Sequence, residues 1–252
     1  MISKSRVTIL VKASPQPSKK HNETVCCAGI DDRGNWKRLF PVRFRQLSGD
    51  QSFSRWDIVS CDHRRPADDP RVESCRVHEE SISIVGSIKR KADEKSSIIA
   101  NALVGSEIEA VNLGASLAVI RPQNPELRWR RLDHSELEQA KQNYEQQAAQ
   151  LSMLDKEISA YEPCPFEFKM HYNDADGPHK KTCADWETPA AFFNLSREMD
   201  EQKVLEHLRE TYCEKYVKTG LVFALGNMKK RPQTWQLLGI FPVEETTQQS
   251  LF

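Results

Sequence analysis

The sequence lacks long apolar segments and the common motifs of nucleotide-binding and hydrolytic enzymes. No run of about 18 apolar residues occurs, so we expect no transmembrane helix and no membrane partner. The patterns G-x-x-x-x-G-K-S/T, G-x-G-x-x-G, H-E-x-x-H and G-x-S-x-G are also absent. Their absence argues against nucleoside triphosphatase, dinucleotide-binding, zincin and α/β-hydrolase functions.

The N-terminus and the cysteines indicate a cytoplasmic protein. The first residues contain neither a long apolar region nor a small-residue cleavage site, so we expect no signal peptide. The cysteines number seven, an odd count that does not fit a complete disulfide framework. Without a secretory signal, reduced thiols in a reducing compartment are the simpler interpretation.

The net charge of zero conceals an asymmetry between the two halves. Residues 1–132 contain 23 Lys and Arg against 16 Asp and Glu, whereas residues 133–252 contain 13 against 20. A basic half favours nucleic-acid contact, although independent variation of surface charge would give the same imbalance.

Local patterns predict an α+β fold with a β-rich N-terminal half. Residues 6–12, 24–30 and 36–40 are rich in β-branched and apolar side chains, and a turn signal lies at 31–35. We predict a small barrel-like sheet of the OB or PUA-like kind, followed by a helix at 96–111.

A long helix is predicted at residues 135–161, with Ser135 and Glu138 as its capping box. It is expected to join the first half to a smaller antiparallel α+β domain, in which Gly220 ends a helix at 200–218. The predicted organisation is a basic, β-rich DNA-binding domain (1–132), a connecting helix (133–162), an α+β domain carrying any active site (163–243) and a disordered tail (244–252).

Basic and aromatic residues alternate along residues 36–45, and further basic clusters follow. Arginine side chains bind phosphates while aromatic faces stack on bases, as in sites for single strands and flipped bases. The alternative is a sheet with one solvated face. The predicted nucleic-acid-binding residues are Lys19, Lys20, Trp36, Lys37, Arg38, Phe40, Arg43, Phe44, Arg45, Arg64, Arg65, Arg128, Trp129, Arg130 and Arg131.

Four polar residues of the second half are candidate catalytic groups: His171, His179, Asp185 and Glu187. On a strand, the carboxylates of Asp185 and Glu187 would share one face. They could activate water for base excision without a cofactor, or bind Mg²⁺ for strand cleavage. The alternative is that Asp185 ends a strand and Glu187 starts a turn.

Three further patterns match known sites incompletely, and the identity of any bound metal is left open. Glu167-Phe168-Lys169 is an E-x-K without the acidic residue on a preceding strand that nucleases require. The spacing from His179 to Asp185 is one residue short of a phospholipase-D-type nuclease motif. Zinc binding would use Cys164, His171, His179 and Cys183, but the sequence has no C-x2-C pair.

The last five residues form the pattern Q-x-S-L-F, with Gln248 ahead of Leu251 and Phe252. This tail resembles the peptide that bacterial DNA-metabolism proteins insert into the sliding clamp. The resemblance implies a bacterial origin and a partner that receives two apolar side chains in a pocket and hydrogen-bonds the glutamine. The body, from Val11 to Leu47 and around Trp186, resembles uncharacterised bacterial proteins whose activity is not established.

The sequence therefore predicts a cytoplasmic bacterial DNA-binding protein of repair or phage defence, tethered to the sliding clamp. As an enzyme it would be a DNA glycosylase or a metal-dependent nuclease; whether it is an enzyme is left open. The alternatives are a non-catalytic reader of modified or single-stranded DNA and a protein-interaction adaptor. The oligomeric state does not follow from the sequence.

Overall fold

A computed structural model describes residues 2–14, 25–44, 47, 49–152 and 162–245. The fold is α+β and rich in strands, as predicted. The predicted binding residues Lys19, Lys20 and Arg45 and the tail residues Gln248, Leu251 and Phe252 lie outside the described residues. None of the helices in the described ranges is both long and apolar enough to cross a membrane.

The N-terminal half is a closed five-stranded barrel, which confirms the predicted barrel-like sheet. Its strands are β1 (Ser3–Lys12), β2 (Val25–Asp31), β3 (Trp36–Val42), β4 (Asp57–Arg64) and β5 (Ser74–Val77). They are joined in the order β1-β2-β3-β5-β4, and pairing of β4 with β1 closes the ring. β6 (Ser83–Ser87) adds to β4 on the outside of this closed ring. Apolar side chains such as Val7, Ile9, Leu39 and Val59 fill the barrel.

The C-terminal half contains two three-stranded antiparallel sheets. One has the order β12-β11-β7, built from β7 (Leu117–Ile120), β11 (Leu221–Met228) and β12 (Arg231–Pro242). The other has the order β10-β9-β8, built from β8 (Gln123–Arg131), β9 (Phe166–Asp174) and β10 (Gly177–Thr182). Both sheets pack on the core that contains Met170, Phe192 and Phe223.

Within the described residues six α-helices accompany the sheets, and two of them correct the sequence prediction. They are α1 (Ala92–Ala102), α2 (Glu107–Asn112), α3 (His134–Ser152), α4 (Glu187–Leu195), α5 (Glu201–Glu210) and α6 (Tyr216–Thr219). The single helix predicted at 96–111 is divided into α1 and α2, because Ser106 starts a new helix by accepting a hydrogen bond from the backbone N–H of Glu109. A π-helical turn, Thr211–Lys215, joins α5 to α6 within the predicted helix 200–218.

Along the chain, the long helix α3 connects β8 to β9, which are neighbouring strands of one sheet. It does not connect the two halves. Its capping box is formed by Asp133 and Glu136, each of which accepts a hydrogen bond from the backbone N–H of the other at 2.9 Å, and not by Ser135 and Glu138. Strands β7 and β8, expected in the first domain, pair with β11 and β9 of the C-terminal half. The structural division therefore precedes β7 and does not fall at residue 132, because hydrogen-bond partners and not chain position define a sheet.

The two halves share a continuous apolar core. β1 is buried on both faces: Val7 and Ile9 point into the barrel, whereas Leu10 and Val11 join a second cluster. That cluster includes Leu238 and Phe241 of the C-terminal sheet. Strand β11 is also buried on both faces, which explains its nearly continuous apolar sequence.

Gly220 ends α6 in the left-handed conformation, with φ of 107°, as predicted for a helix C-cap. A Cβ atom at this position would lie 2.4 Å from the carbonyl oxygen of Val243. Gly114 has a similar positive φ of 71°, but a Cβ there would meet no atom within 4 Å. Alanine at Gly114 would therefore add backbone strain alone, whereas alanine at Gly220 would add strain and a steric clash.

We expect Gly220→Ala to lower the free energy of unfolding by about 2–4 kcal/mol, because strain and a clash add. Gly114→Ala should lower it by about 1 kcal/mol through strain alone. Urea unfolding of both variants measures the difference. If both variants lose the same free energy of unfolding, the clash of the added Cβ atom with the Val243 carbonyl oxygen contributes nothing.

Candidate functional site

The outer face of the sheet β10-β9-β8 carries a shallow, open groove. Its volume is about 350 Å³, near the lower end of the range for ligand pockets. It is lined by Arg128, Trp129, Arg130, Glu167, Lys169, His171 and Lys180. We call it the sheet groove.

Strand register explains why these side chains meet. Arg128 of β8 lies opposite Lys169 of β9, and His171 of β9 lies opposite Lys180 of β10. Along β9 the buried residues Phe166, Phe168, Met170 and Tyr172 alternate with Glu167, Lys169 and His171 on the other face. Cations from three strands therefore converge on one surface.

The cations of the sheet groove are partly neutralised by carboxylates at its edges. Lys169 Nζ lies 2.7 Å from Glu167 Oε2, and Arg130 lies 2.6 Å from Glu136. Arg128 pairs with Glu126 at 2.5 Å. Exposed ion pairs of this kind contribute at most about 1 kcal/mol. An incoming phosphate could therefore replace these carboxylates at little cost.

Lys180 and the neighbouring His171 form no ion pair within the described part of the chain. Trp129 also borders the groove, but it lies opposite the buried Phe168 and packs against the core, so strand alternation places its ring on the core face of the sheet. Its neighbour Arg131 contacts the Phe166 ring at 4.9 Å and pairs with Glu201, away from the groove. Arg131 therefore does not join the other predicted binding residues of β8.

Most basic residues of β3 and the turn after it make internal contacts, contrary to the expected binding strand. Arg38 is buried and donates to the carbonyl oxygen of Ser116 at 2.9 Å. Lys37 pairs with Asp31 at 3.3 Å, and Arg43 pairs with Glu79 at 2.5 Å. These cations make contacts within the fold, which leaves fewer of their donors for a ligand.

The remaining predicted binding residues of the barrel divide by exposure. Trp36 is half-buried against the core between the two halves, and Phe40 is also half-buried. Arg64 and Arg65 are exposed at the end of β4. Of the predicted barrel contacts described by the structure, these two arginines are the more accessible to a ligand.

Asp185 is buried and ion-paired, which corrects its prediction as part of an accessible carboxylate pair. Both of its oxygens accept hydrogen bonds from Arg55, at 3.0 and 3.1 Å. They also accept from the backbone N–H groups of Ile240 at 2.9 Å and Glu187 at 3.1 Å. The side chain is only 1% exposed. All four of these hydrogen bonds come from the protein itself, so the carboxylate is placed to stabilise the fold and not to activate substrate water.

Arg55 joins the barrel to the C-terminal half through the same ion pair. It donates to the carbonyl oxygens of Leu10 in β1 and Ile240 in β12, each at 3.0 Å. Burial raises the pKa of Asp185, and the Arg55 charge opposes that rise. Burial is the largest influence on the pKa of Arg55 and acts to lower it, but the charges of Asp185 and Glu187 together with the hydrogen bonds to Asp185 raise the pKa overall.

Glu187 does not share a strand face with Asp185, because α4 begins at Glu187. Its carboxylate lies 2.7 Å from Lys12 Nζ and is 38% exposed. Lys12 Nζ also lies 4.7 Å from the centre of the Phe44 ring, which packs against Trp186 with ring centroids 6.3 Å apart. Burial opposes ionisation, but the Lys12 charge lowers the pKa of Glu187. An ionised, partly accessible carboxylate thus lies beside two aromatic rings.

The four predicted catalytic residues are dispersed over three places. His171 faces the sheet groove, whereas Asp185 and Glu187 lie between the two halves. His179 Nε2 bonds Asp174 Oδ1 at 2.7 Å, and its ring stacks on Tyr172. The structure therefore does not assemble them into one constellation.

The incomplete nuclease and zinc patterns also separate in space. Glu167 and Lys169 face the sheet groove. His179 is bonded to Asp174, and Cys183 Sγ lies 3.4 Å from Thr188 Oγ1. Within the residues that the structure describes, no three His, Cys, Asp or Glu side chains are arranged to hold a metal ion.

Sequence reasoning missed Lys169 and Lys180 in the groove, and Lys12 and Arg55 between the halves. The alternation of apolar and polar residues along 166–172 is a signal for Lys169. No local pattern indicates Arg55, because its partners are 45, 130 and 185 positions away along the chain.

Comparison with protein families divides the chain at the end of α1. The protein is of a two-part α+β class, with a barrel followed by a two-sheet half. Residues 3–101 match a family described as a domain of unknown function (DUF8758), and residues 101–252 match one described as a domain of unknown function (DUF8757). The second match covers more than half of the chain, which therefore belongs to the DUF8757 family. No curated protein matches the chain.

We expect Asp185→Asn to lower the free energy of unfolding by about 3–5 kcal/mol, because it leaves the Arg55 charge buried without its partner. Glu206→Gln removes an exposed carboxylate that pairs with Arg209, and should change stability by less than about 0.5 kcal/mol. Urea unfolding of the two variants measures the contrast. A stable Asp185→Asn protein would contradict the structural role of this carboxylate.

Proposed function

We propose that the protein binds DNA through the sheet groove. The observation that supports this proposal is the convergence of Arg128, Arg130, Lys169 and Lys180 on one face of the sheet. Guanidinium and ammonium groups bind phosphates, so this face can contact the backbone of a DNA strand. Arg128, Trp129 and Arg130 were among the residues predicted from the sequence to bind nucleic acid.

A reader of DNA is the function that the geometry supports best. The predicted catalytic residues are dispersed, and the groove itself contains one histidine among its cations. A groove of this composition can hold a strand without reacting with it. We place the protein in bacterial DNA repair or phage defence, in the cytoplasm, because the C-terminal pattern implies a clamp partner.

Base excision is the second candidate, and Glu187 is the residue that favours it. Its carboxylate has a lowered pKa and is partly exposed beside Phe44 and Trp186. Glycosylases combine a carboxylate with aromatic contacts to an extruded base. If this candidate is right, the protein will form alkali-labile sites in damaged DNA in the presence of EDTA, and Glu187→Gln will abolish them.

The tail is proposed to tether the protein to the sliding clamp. Glu245, the last described residue before it, pairs with Arg121 at 3.2 Å. The segment that follows is polar until Leu251 and Phe252, so it can remain outside the core before binding. Tethering raises the local concentration of the groove at DNA without a tight contact by the body.

We expect Lys169→Gln/Lys180→Gln to weaken binding to a single-stranded oligonucleotide about tenfold at low salt, because two phosphate contacts are lost. Fluorescence anisotropy measures the effect, and thermal unfolding checks that the variant still folds.

The matched control for the lysine pair is Lys203→Gln/Lys218→Gln, which removes two charges from α5 and α6, outside the groove. Equal binding by the groove variant, the control and the unaltered protein would refute the sheet groove as the DNA site. Failure of the unaltered protein to bind DNA at low salt would leave the adaptor as the surviving function.

Removal of Leu251 and Phe252 should abolish binding to a purified bacterial sliding clamp and leave thermal unfolding unchanged, because these side chains supply the apolar contacts. Replacement of Thr246 and Thr247 by serine, two polar positions ahead of the pattern, is the control and should bind normally. Surface plasmon resonance measures the interaction. Undiminished clamp binding by the truncated protein would exclude this tail as the contact.

A further inference from the structure

A second basic surface is built where the barrel meets the hairpin between β11 and β12. Its cations are Arg64, Arg71 and Arg76 from the barrel and Lys229, Lys230 and Arg231 from the hairpin. We call this surface the hairpin patch. The hairpin belongs to the half of the chain that is acidic as a whole, so the sequence alone does not connect it to the barrel arginines.

Asp68 brings the two groups of cations together. Its Oδ1 lies 3.3 Å from Arg76, and its Oδ2 lies 2.8 Å from Lys229 Nζ, so one carboxylate bridges the barrel and the hairpin. Arg64 is directly opposite Arg76 in the β4–β5 ladder. Side chains of directly opposite residues project from the same face of a sheet.

Arg71 forms the second connection between the same elements. It donates to the carbonyl oxygen of Asn227, at the end of β11, at 2.9 Å. Asp69 holds Arg71 in place through a contact of 2.7 Å. Burial opposes ionisation of Asp69, but hydrogen bonds from Arg71 and Ser74 lower its pKa to about 2. The hairpin is therefore fixed against the barrel, and its position is not that of a free loop.

Cations outnumber carboxylates at the hairpin patch. Asp68 and Asp69 face the six basic residues, and Asp69 is already bound by Arg71 and Ser74. Arg64, Lys229, Lys230 and Arg231 are exposed to solvent. Such a surface has a positive potential that favours a linear polyanion over a small anion, because the charges are spread over two elements.

We propose that the hairpin patch binds the phosphate backbone of duplex DNA. This inference rests on the proposed DNA-binding function and adds a second contact that is distinct from the sheet groove. Backbone contacts position a protein on DNA without reading its sequence. The hairpin patch would hold duplex in this way, and the sheet groove would hold the single strand proposed for it above.

The test measures how the association constant for a duplex of about 20 base pairs falls as salt is added. Each lost phosphate contact reduces the steepness of log K against log salt by about 0.9. We expect Lys229→Gln/Lys230→Gln to reduce this steepness by about 2. The Lys203→Gln/Lys218→Gln control should keep the slope of the unaltered protein. Lys218 lies at the other end of β11 from the hairpin, about 25 Å away for an eight-residue strand.

A variant that removes a negative charge from the hairpin patch should change duplex affinity in the opposite direction and gives a second test. Asp68→Asn removes a negative charge from the middle of the patch, so duplex affinity should rise a few-fold where the lysine variant lowers it. Asp68 is half-exposed, and its loss should leave thermal unfolding nearly unchanged.

The outcomes separate the two proposals. If the patch variants bind duplex like the control while Lys169→Gln/Lys180→Gln loses single-strand binding, the hairpin patch is refuted and the groove proposal stands. If the unaltered protein binds neither duplex nor single strand at low salt, both proposals fail. Loss of duplex binding in the patch variant alone, with normal single-strand binding, supports the division of contacts.

Discussion

The buried ion pair between Arg55 and Asp185 is the constraint on which the arrangement of the two halves depends. Arg55 reaches β1 of the barrel and β12 of the C-terminal sheet, and Asp185 anchors the start of α4 to the same point. Each charge is buried deeply enough that the other must be present, since an unpaired charge in this position is strongly destabilising. The pair thus specifies one relative position for elements that apolar contact alone would hold less selectively.

Packing around this pair explains why the chain is one connected body with two recognisable parts. The barrel has its own interior, but β1 also buries its outer face against the C-terminal sheet. Glu73 extends the polar contact between the halves, because its carboxylate accepts hydrogen bonds from the backbone N–H of Ser116 at 2.7 Å and from its hydroxyl at 2.9 Å. Two families of unknown function therefore meet in this chain through a shared core and not through a linker.

The surfaces proposed to bind DNA both depend on this arrangement. The sheet groove lies on the outer face of a sheet whose inner face packs on the C-terminal core, so its cations project from a fixed framework. The hairpin patch depends on the position of the β11–β12 hairpin against the barrel, where Arg71 donates to the carbonyl oxygen of Asn227. Loosening of the contact between the halves would disperse the patch and leave the groove intact.

The sequence by itself determined the α+β class, the barrel-like first half, the positions of its first three strands and the helix end at Gly220. Alternation, turn residues and glycine conformation are local properties, so they can be read from neighbouring residues. Only the tertiary structure decided that β7 and β8 belong to the second half, that Asp185 is buried by Arg55, and that Lys229 meets Arg76 across Asp68. Those features join residues that are far apart in the chain, so no local pattern predicts them. Asp185 was predicted as a catalytic carboxylate, but its burial gives it a structural role, because a charge removed from water requires a charged partner.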